Sequence, residues 1–242
     1  MSPRLSVIVP VNDEAGNIAP LVAEIEAALA PVAPFEIVYV DDGSTDATRA
    51  EVAALRAGRP HLRLLALARN AGKAEAQRAG VRAARGALVV LMDGDGQNDP
   101  AEIPRLLAAF EAAPGAGLAM AQRRGRKDTG FKRLQSRLAN AIRKALLRDG
   151  ARDAGCGFAL LPRETYLALP AFDGLHRFLP ALVRREGLGV VFVEVTDRPR
   201  RAGRSKYGFF DRLWVGLDDL LGVMWLLRRR RVAARAEELP PG

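Results

Sequence analysis

The chain is short of the residues that would staple or stack it. Among its 242 residues there is one cysteine, Cys156, so no disulfide can close within the chain and no cysteine-rich metal site can be built. That scarcity suits a reducing compartment. Histidine is nearly as rare, and His61 and His176 lie too far apart in their motif contexts to suggest a metal pair; His61 reads as a surface residue. Three tyrosines and two tryptophans leave few platforms for stacking bases. No apolar run reaches the length of a membrane span, because the best candidate, Leu213 to Leu227, is broken by Asp218 and Asp219. Met1 is followed by Ser-Pro-Arg and a short strand-like run rather than a secretory core, so a cytoplasmic location is expected. Two phosphate-binding signatures are also missing: no G-x-G-x-x-G follows the first apolar run, and no G-x-x-x-x-G-K-[ST] occurs anywhere. A bound phosphate would therefore have to be handled by carboxylates and a metal rather than by a glycine cradle.

What is abundant is apolar residues and positive charge. A hydrophobic share of 49% over this length supports one large α/β domain. The formal charge of +9 calls for an anionic partner: nucleic acid, a membrane surface or a phosphorylated substrate. The excess is concentrated after Arg123, in clusters at Arg123 to Lys127, Lys132 to Arg152, Arg198 to Lys206 and Arg228 to Arg231, while the first half is nearly balanced. Clusters of this kind fit a docking face better than a solvated arginine-rich surface, which would scatter its charges.

Taken in order, Leu5 to Val11 reads as a buried strand leading to Asn12-Asp13-Glu14, and Ile18, Leu21, Val22, Ile25 and Leu29 recur at helical spacing after it. Phe35 to Val40 is a second strand ending in Asp41-Asp42-Gly43-Ser44-Thr45-Asp46, where Ser44 or Thr45 is expected to cap the next helix. Leu62 to Ala68 is a third strand, followed by Asn70 to Lys73 and a helix over Ala74 to Ala84. A fourth, Ala87 to Leu91, runs into Met92-Asp93-Gly94-Asp95-Gly96-Gln97. Strand and helix alternating four times predict right-handed βαβ units and a parallel, doubly wound sheet whose ligands bind beyond the carboxyl ends of the strands. The four polar clusters fall at those ends and should converge on one crevice. Asp93, Asp95 and Gln97 offer hard oxygen ligands suited to Mg or Mn, with Gly94 and Gly96 leaving room for a bulky anion. Each cluster also has a plainer reading as a turn, a helix start or a first-turn acid.

The stretches SVIVPVNDEAGNI, VDDGSTDAT, RNAGKAEAQRAG, MDGDGQNDP, SRLAN, DAGCGF, LHRFLPAL and RRAGRSKYG together resemble the family 2 glycosyltransferases of GT-A fold, in their polyprenyl-phosphate (dolichol-phosphate mannosyltransferase-like) branch. The resemblance covers nearly the whole chain. It implies a Rossmann-like, mostly parallel sheet flanked by helices over residues 1–208, with an amphipathic, membrane-associating helix and basic tail over 209–242 and no transmembrane span. It also implies roles for individual residues. Pro10, Val11, Glu14, Val40 and Asp42 would hold the base and ribose of a nucleotide sugar, with Lys73 in the same donor site. Asp93, Asp95 and Gln97 would hold the divalent metal, Mg or Mn, with the Gly94 backbone near the diphosphate. Arg200 and Lys206 would clamp that diphosphate, while Arg123, Lys132 or Arg133, and Ser136 would meet the acceptor phosphate. Lys132 departs from the arginine usual in relatives, and the two side chains are not equivalent for forked phosphate recognition, so either Lys132 or Arg133 makes that contact. The catalytic set is Asp95, Arg133 and Asp153, the last as an orienting group or weak base, or as a brace for its own segment. His176 is assigned only to the acceptor side.

The implied reaction moves a hexose, with inversion, from GDP-mannose or a UDP-sugar to a polyprenyl phosphate at the inner face of the cell membrane. A soluble saccharide or cell-envelope polysaccharide is the alternative acceptor. The helix around Arg133 to Arg148 and the stretch Phe209 to Leu227 are candidate membrane-surface helices, each with the plainer reading of a core-facing helix with a solvated back. An integral-membrane partner or a second copy would be other ways of attachment. A basic nucleic-acid-binding module is the remaining alternative, and an acidic crevice with few stacking residues speaks against nucleic acid as partner.

Overall fold

The computed structural model describes residues 3–32, 34–123, 143, 146–153, 155–196, 198 and 209–229, with backbone alone over 209–217. Four strand-to-helix repeats build the first half. β1 (Leu5–Val11) leads to α1 (Ile18–Leu29), β2 (Phe35–Asp41) to α2 (Thr48–Leu55), β3 (Leu62–Ala66) to α3 (Lys73–Ala83), and β4 (Leu88–Leu91) to α4 (Ile103–Glu111). Then come β5 (Ala116–Arg123), β6 (Ala159–Pro162), α5 (Arg163–Ala168), α6 (Leu179–Arg185), β7 (Gly189–Val195) and α7 (Phe209–Arg228). The third strand stops at Ala66, two residues short of the predicted end.

The seven strands form one sheet in the order β3-β2-β1-β4-β6-β5-β7. β1 pairs in parallel with both β2 and β4, and only β6 runs against its neighbours. The chain thus works outward from β1 to β3 and returns to β1's other side at β4. That reversal opens a crevice at the carboxyl ends of β1 and β4, where ligands of open α/β sheets bind.

Alternation along the strands supplies two cores. Leu5, Val7, Val9 and Val11 of β1 pack on one face with Leu21 and Ile25 of α1 and Leu106 of α4, while Ile8 turns to the other face with Val81 of α3 and Leu182 of α6. A helix layer on each face is the consequence, since a sheet buried on both sides must be apolar on both. Because β6 is antiparallel, with Ala159 opposite Leu91, its entry loop arrives at the same edge as the exit of β4.

α7 packs on the second core through Leu220 and Val223, and Arg177 pairs with Asp219 at 3.3 Å. Its other side carries Leu221 and Trp225, 63% and 59% exposed. Among the described residues no helix is long and apolar enough to cross a membrane.

The cap on α2 differs from expectation. The Asp46 carboxylate accepts the Thr48 backbone N–H at 2.9 Å, whereas Ser44 and Thr45 turn away to the loop after β1. His61 is half-buried rather than free on the surface, with Nε2 at 2.7 Å from the Glu26 carboxylate and its ring edge-on to Phe35.

Candidate active site

The predicted clusters do meet at one edge, and hydrogen bonds tie them together. The Asp13 backbone N–H donates to Ser44 Oγ at 3.0 Å, and Asp13 Oδ1 accepts the Thr45 N–H at 2.7 Å. This reciprocal pair holds Asp13 at φ 54°, a left-handed conformation that costs a non-glycine residue energy. The Glu14 N–H reaches Thr48 Oγ1 at 2.8 Å, and the Glu14 carboxylate accepts from Asn17 Nδ2 at 2.7 Å. The loops after β1 and β2 are therefore one rigid unit.

Asp41 and Asp42 divide their work. Asp41, wholly buried, receives the Ser44 N–H at 3.0 Å and Arg49 Nε at 2.7 Å, which closes its own turn. Asp42 reaches across to the next loop, accepting the N–H groups of Ala71 at 2.7 Å and Gly72 at 3.0 Å. It thereby fixes the start of α3, from which Lys73 projects. Pro10 is partly exposed at this edge, whereas Val11 and Val40 are buried, so they can serve a nucleotide only as wall or backbone.

Lys73 Nζ forms an ion pair with Asp93 Oδ1. Burial alone would raise the Asp93 carboxyl, but the charge and hydrogen bond of Lys73 outweigh it and hold the group below the usual carboxylate range, so it is ionised at neutral pH. The Asp93 N–H is fixed by Asn98 Oδ1 at 2.9 Å, and Asp95 Oδ1 accepts the Gln97 N–H at 3.1 Å. Gly94 is small for a reason other than ligand access: a Cβ there would lie 2.5 Å from Val11 Cγ1 and 3.3 Å from the Pro10 carbonyl, so the glycine lets this loop lie flat on β1.

Two ionised or ionisable carboxylates and a carboxamide within five residues match the ligands that Mg accepts, which are one or two carboxylates completed by substrate phosphates and water. The described residues contain no cluster of three or more His, Cys, Asp or Glu side chains that could hold an ion unaided. The donor set therefore fits a divalent ion that shares its coordination with a diphosphate.

The far wall is Arg123, at the end of β5. Its guanidinium is gripped by Asp153, Nε to Oδ2 at 2.6 Å and Nη2 to Oδ1 at 3.2 Å, and Asp153 also takes the Gly155 N–H at 3.0 Å. Asp153 thus both orients a cation and braces its segment, two of the roles left open from sequence. Cys156 behind it is buried, which pushes its thiol up to about 11 and leaves it unreactive. Lys132, Arg133, Ser136, Arg200 and Lys206 lie outside the described residues.

Two residues at this edge were not singled out from sequence, and a third was assigned only to a side. Arg198 pairs with Asp99 at 2.6 Å and Glu24 at 2.9 Å, and its N–H approaches the Gln97 carbonyl at 3.4 Å, beside the acidic loop. Gly157, at the entry to β6, stands against Lys73 and Asp93. His176 senses the charges of both; burial, helped by Lys73 and Arg177, lowers its pKa to about 3 and keeps it neutral, with Nδ1 buried and unpartnered among the described residues. The LHRFLPAL motif had assigned it only to the acceptor side.

Residues 6–168 match the family model described as Glycosyl transferase family 2. The chain belongs to glycosyl transferase family 2. Among curated proteins this family member is similar to dodecaprenyl-phosphate galacturonate synthase of Rhizobium johnstonii, 35% identical over 235 residues that cover 93% of the chain and 68% of the relative. It is also similar to the undecaprenyl-phosphate 4-deoxy-4-formamido-L-arabinose transferase of Edwardsiella ictaluri, 34% identical over 84% of the chain and 63% of that protein. The chain thus spans about two thirds of the length of these relatives, between 63% and 68%. Among solved structures, glucosyl-3-phosphoglycerate synthase from Mycobacterium tuberculosis, crystallised with Mg2+ and uridine diphosphate, superposes with a TM-score of 0.68 at 22% identity, covering 94% of the family 2 chain and 79% of its own. At that identity the likeness bears on fold alone, and it agrees with the GT-A architecture expected from the motifs.

Proposed function

We propose that this family 2 transferase moves a sugar, with inversion, from a nucleoside diphosphate sugar to a polyprenyl phosphate, using a divalent ion. The observation that carries the reading is that an acidic loop at the end of β4, with Asp93 and Asp95, and a fixed cation at the end of β5, Arg123, lie at one sheet edge. The names of the curated relatives, which transfer different sugars but share a polyprenyl-phosphate acceptor, support it.

The donor's base and ribose would lie along Pro10, Glu14 and the Asp42-anchored loop, which are already rigid and so lose little entropy on binding. Bound at Asp93, Asp95 and Gln97, Mg or Mn supplies charge that stabilises the departing diphosphate. Lys73 adds a second positive group on the same side. Arg123, held in one orientation by Asp153, presents a planar fork to the acceptor phosphate, with Lys132 or Arg133 and Ser136 as further contacts. An acceptor phosphate oxygen attacks C1 of the sugar while the bond from C1 to the diphosphate oxygen breaks, and the leaving nucleoside diphosphate keeps the electron pair. That nucleophile is anionic at neutral pH, so no strong base is required, and Asp153, committed to Arg123, need not be one. Arg200 and Lys206, which lie outside the described residues, would clamp the diphosphate as the motif resemblance implies.

A lipid acceptor would bring the enzyme to a membrane surface, and α7 fits that use. Leu221 and Trp225 form an exposed apolar stripe one helical turn apart, continued by Arg228 and Arg229, and the Arg229 guanidinium lies 5.7 Å from the Trp225 ring centre. Apolar side chains followed by arginines suit a surface of anionic headgroups.

A panel of radiolabelled nucleotide sugars offered with undecaprenyl phosphate tests the reading. Label should pass into the organic phase for one donor, stop on chelation of divalent ions, and fall at least a thousandfold in Asp95→Ala with the thermal transition preserved. Label confined to a water-soluble saccharide would instead favour the alternative acceptor.

A further inference from the structure

Lys73 sits where an incoming metal would find its first ligand. Three elements hold it there. Asp42 clamps the amides of Ala71 and Gly72 and so fixes the origin of α3, the exit of β4 supplies Asp93, and the entry of β6 brings Gly157 against both. A Cβ at Gly157 would fall 2.7 Å from Lys73 Nζ and 3.0 and 3.2 Å from the two Asp93 oxygens, so the absent side chain is what allows the ion pair to close. The arrangement is built rather than incidental. Fully exposed lysine pairs wander, whereas this one is partly buried, its side chains 32% and 27% exposed, with Gly157 against both.

From this geometry we infer that Lys73 is a place-holding cation, displaced from Asp93 by the metal and the diphosphate together, so that a divalent ion loads appreciably only in company with the nucleotide. The inference rests on the donor-site reading above and adds an order to it. A divalent ion on Asp93 would bring a second cation to a carboxylate already neutralised by an ammonium, and the two repel. Among the described residues no group of three or more His, Cys, Asp or Glu side chains is there to offset that repulsion. A diphosphate removes both obstacles, since its oxygens complete the ion's coordination and give Lys73 new acceptors. Lys73 then stands on the leaving group, where developing negative charge needs it. The site would remain charge-balanced whether empty or loaded.

Mn2+ binding followed by electron paramagnetic resonance, with and without uridine or guanosine diphosphate, tests this without any turnover. Wild type should bind Mn2+ alone at least tenfold more weakly than in the presence of the diphosphate it prefers. Lys73→Met should bind Mn2+ alone roughly tenfold more tightly than wild type and lose most of the enhancement by diphosphate, a change of about 1.4 kcal/mol. Lys73→Arg, which keeps the charge, should restore weak binding of the ion alone; it guards against a trivial effect of altered folding, as does Gly157→Ala, which should loosen the pair and move in the direction of Lys73→Met. Unchanged or weaker Mn2+ binding by Lys73→Met overturns the inference. If wild type binds no Mn2+ even with diphosphate, the donor-site reading itself fails, and the inference falls with it.

Discussion

Arg123 and Asp153 illustrate how a side chain's partner decides its task. A carboxylate whose two oxygens are engaged by a guanidinium is stabilised in its ionised form and is a poor proton acceptor. Asp153→Asn should therefore raise the KM for polyprenyl phosphate about tenfold by loosening Arg123, with the pH profile of kcat unchanged. Loss of an acidic limb from that profile would make Asp153 a base instead. Away from the crevice, Glu36 on β2 is a second buried acid: it accepts Ser6 Oγ at 2.7 Å, the Arg85 N–H at 2.6 Å and Arg63 Nη1 at 2.7 Å. Burial would raise its pKa, but these bonds and the Arg63 charge lower it on balance. A lowered folded-state pKa means stability that is present above the unfolded value of about 4.3 and lost as pH falls through the folded one. Glu36→Gln should cost about 1–3 kcal/mol at pH 7, measured by urea unfolding, and the gap to wild type should close as pH drops below about 4. An equal gap at all pH values would remove charge from the explanation. Sequence could place Asp93, Asp95 and Asp42 at one edge of the sheet because carboxylates at strand ends stand out. It could not tell that Asp42 would be consumed by the backbone of the next loop, or that Gly94 would serve packing, since both depend on what lies across the crevice.

At the scale of elements, apolar runs revealed the first four strands and helical spacing revealed α1, while α2 and α3 were read from the polar stretches that open them. β6 was not legible. Its four residues, Ala159–Pro162, form a short apolar run without alternation, and its antiparallel sense is set by pairing with β4 and β5 rather than by anything local. Yet that reversed direction is what delivers Asp153 and Gly157 to the edge where Lys73 and Asp93 pair. α7 was readable as amphipathic, with both a core-facing and a membrane-facing interpretation open, and the helix has a surface for each. Leu220 and Val223 are buried, and Leu221 and Trp225 are not. Replacing both exposed residues by serine should reduce binding to phosphatidylglycerol vesicles about tenfold or more, because two large apolar side chains contribute about 2 kcal/mol when partly immersed. Stability should hardly change. Undiminished sedimentation with vesicles would assign membrane contact to another surface.

For the whole molecule, the topology does what no single motif could. Working outward from β1 and back to β4 brings the loops after β1, β2, β3 and β4 to one crevice, and β5 with the β6 entry closes its far side. The net charge of +9 then has a local meaning, with acids gathered where a metal and diphosphate would lie and Arg123 facing them for a second anion. The most direct test is anomalous diffraction from crystals grown with Mn2+ and a nucleotide sugar. A single strong Mn peak within about 2.4 Å of carboxylate oxygens of Asp93 or Asp95 and of the donor's diphosphate is the outcome this account requires. A Mn2+ and diphosphate bound together elsewhere on the protein, with both aspartates unengaged, would contradict it.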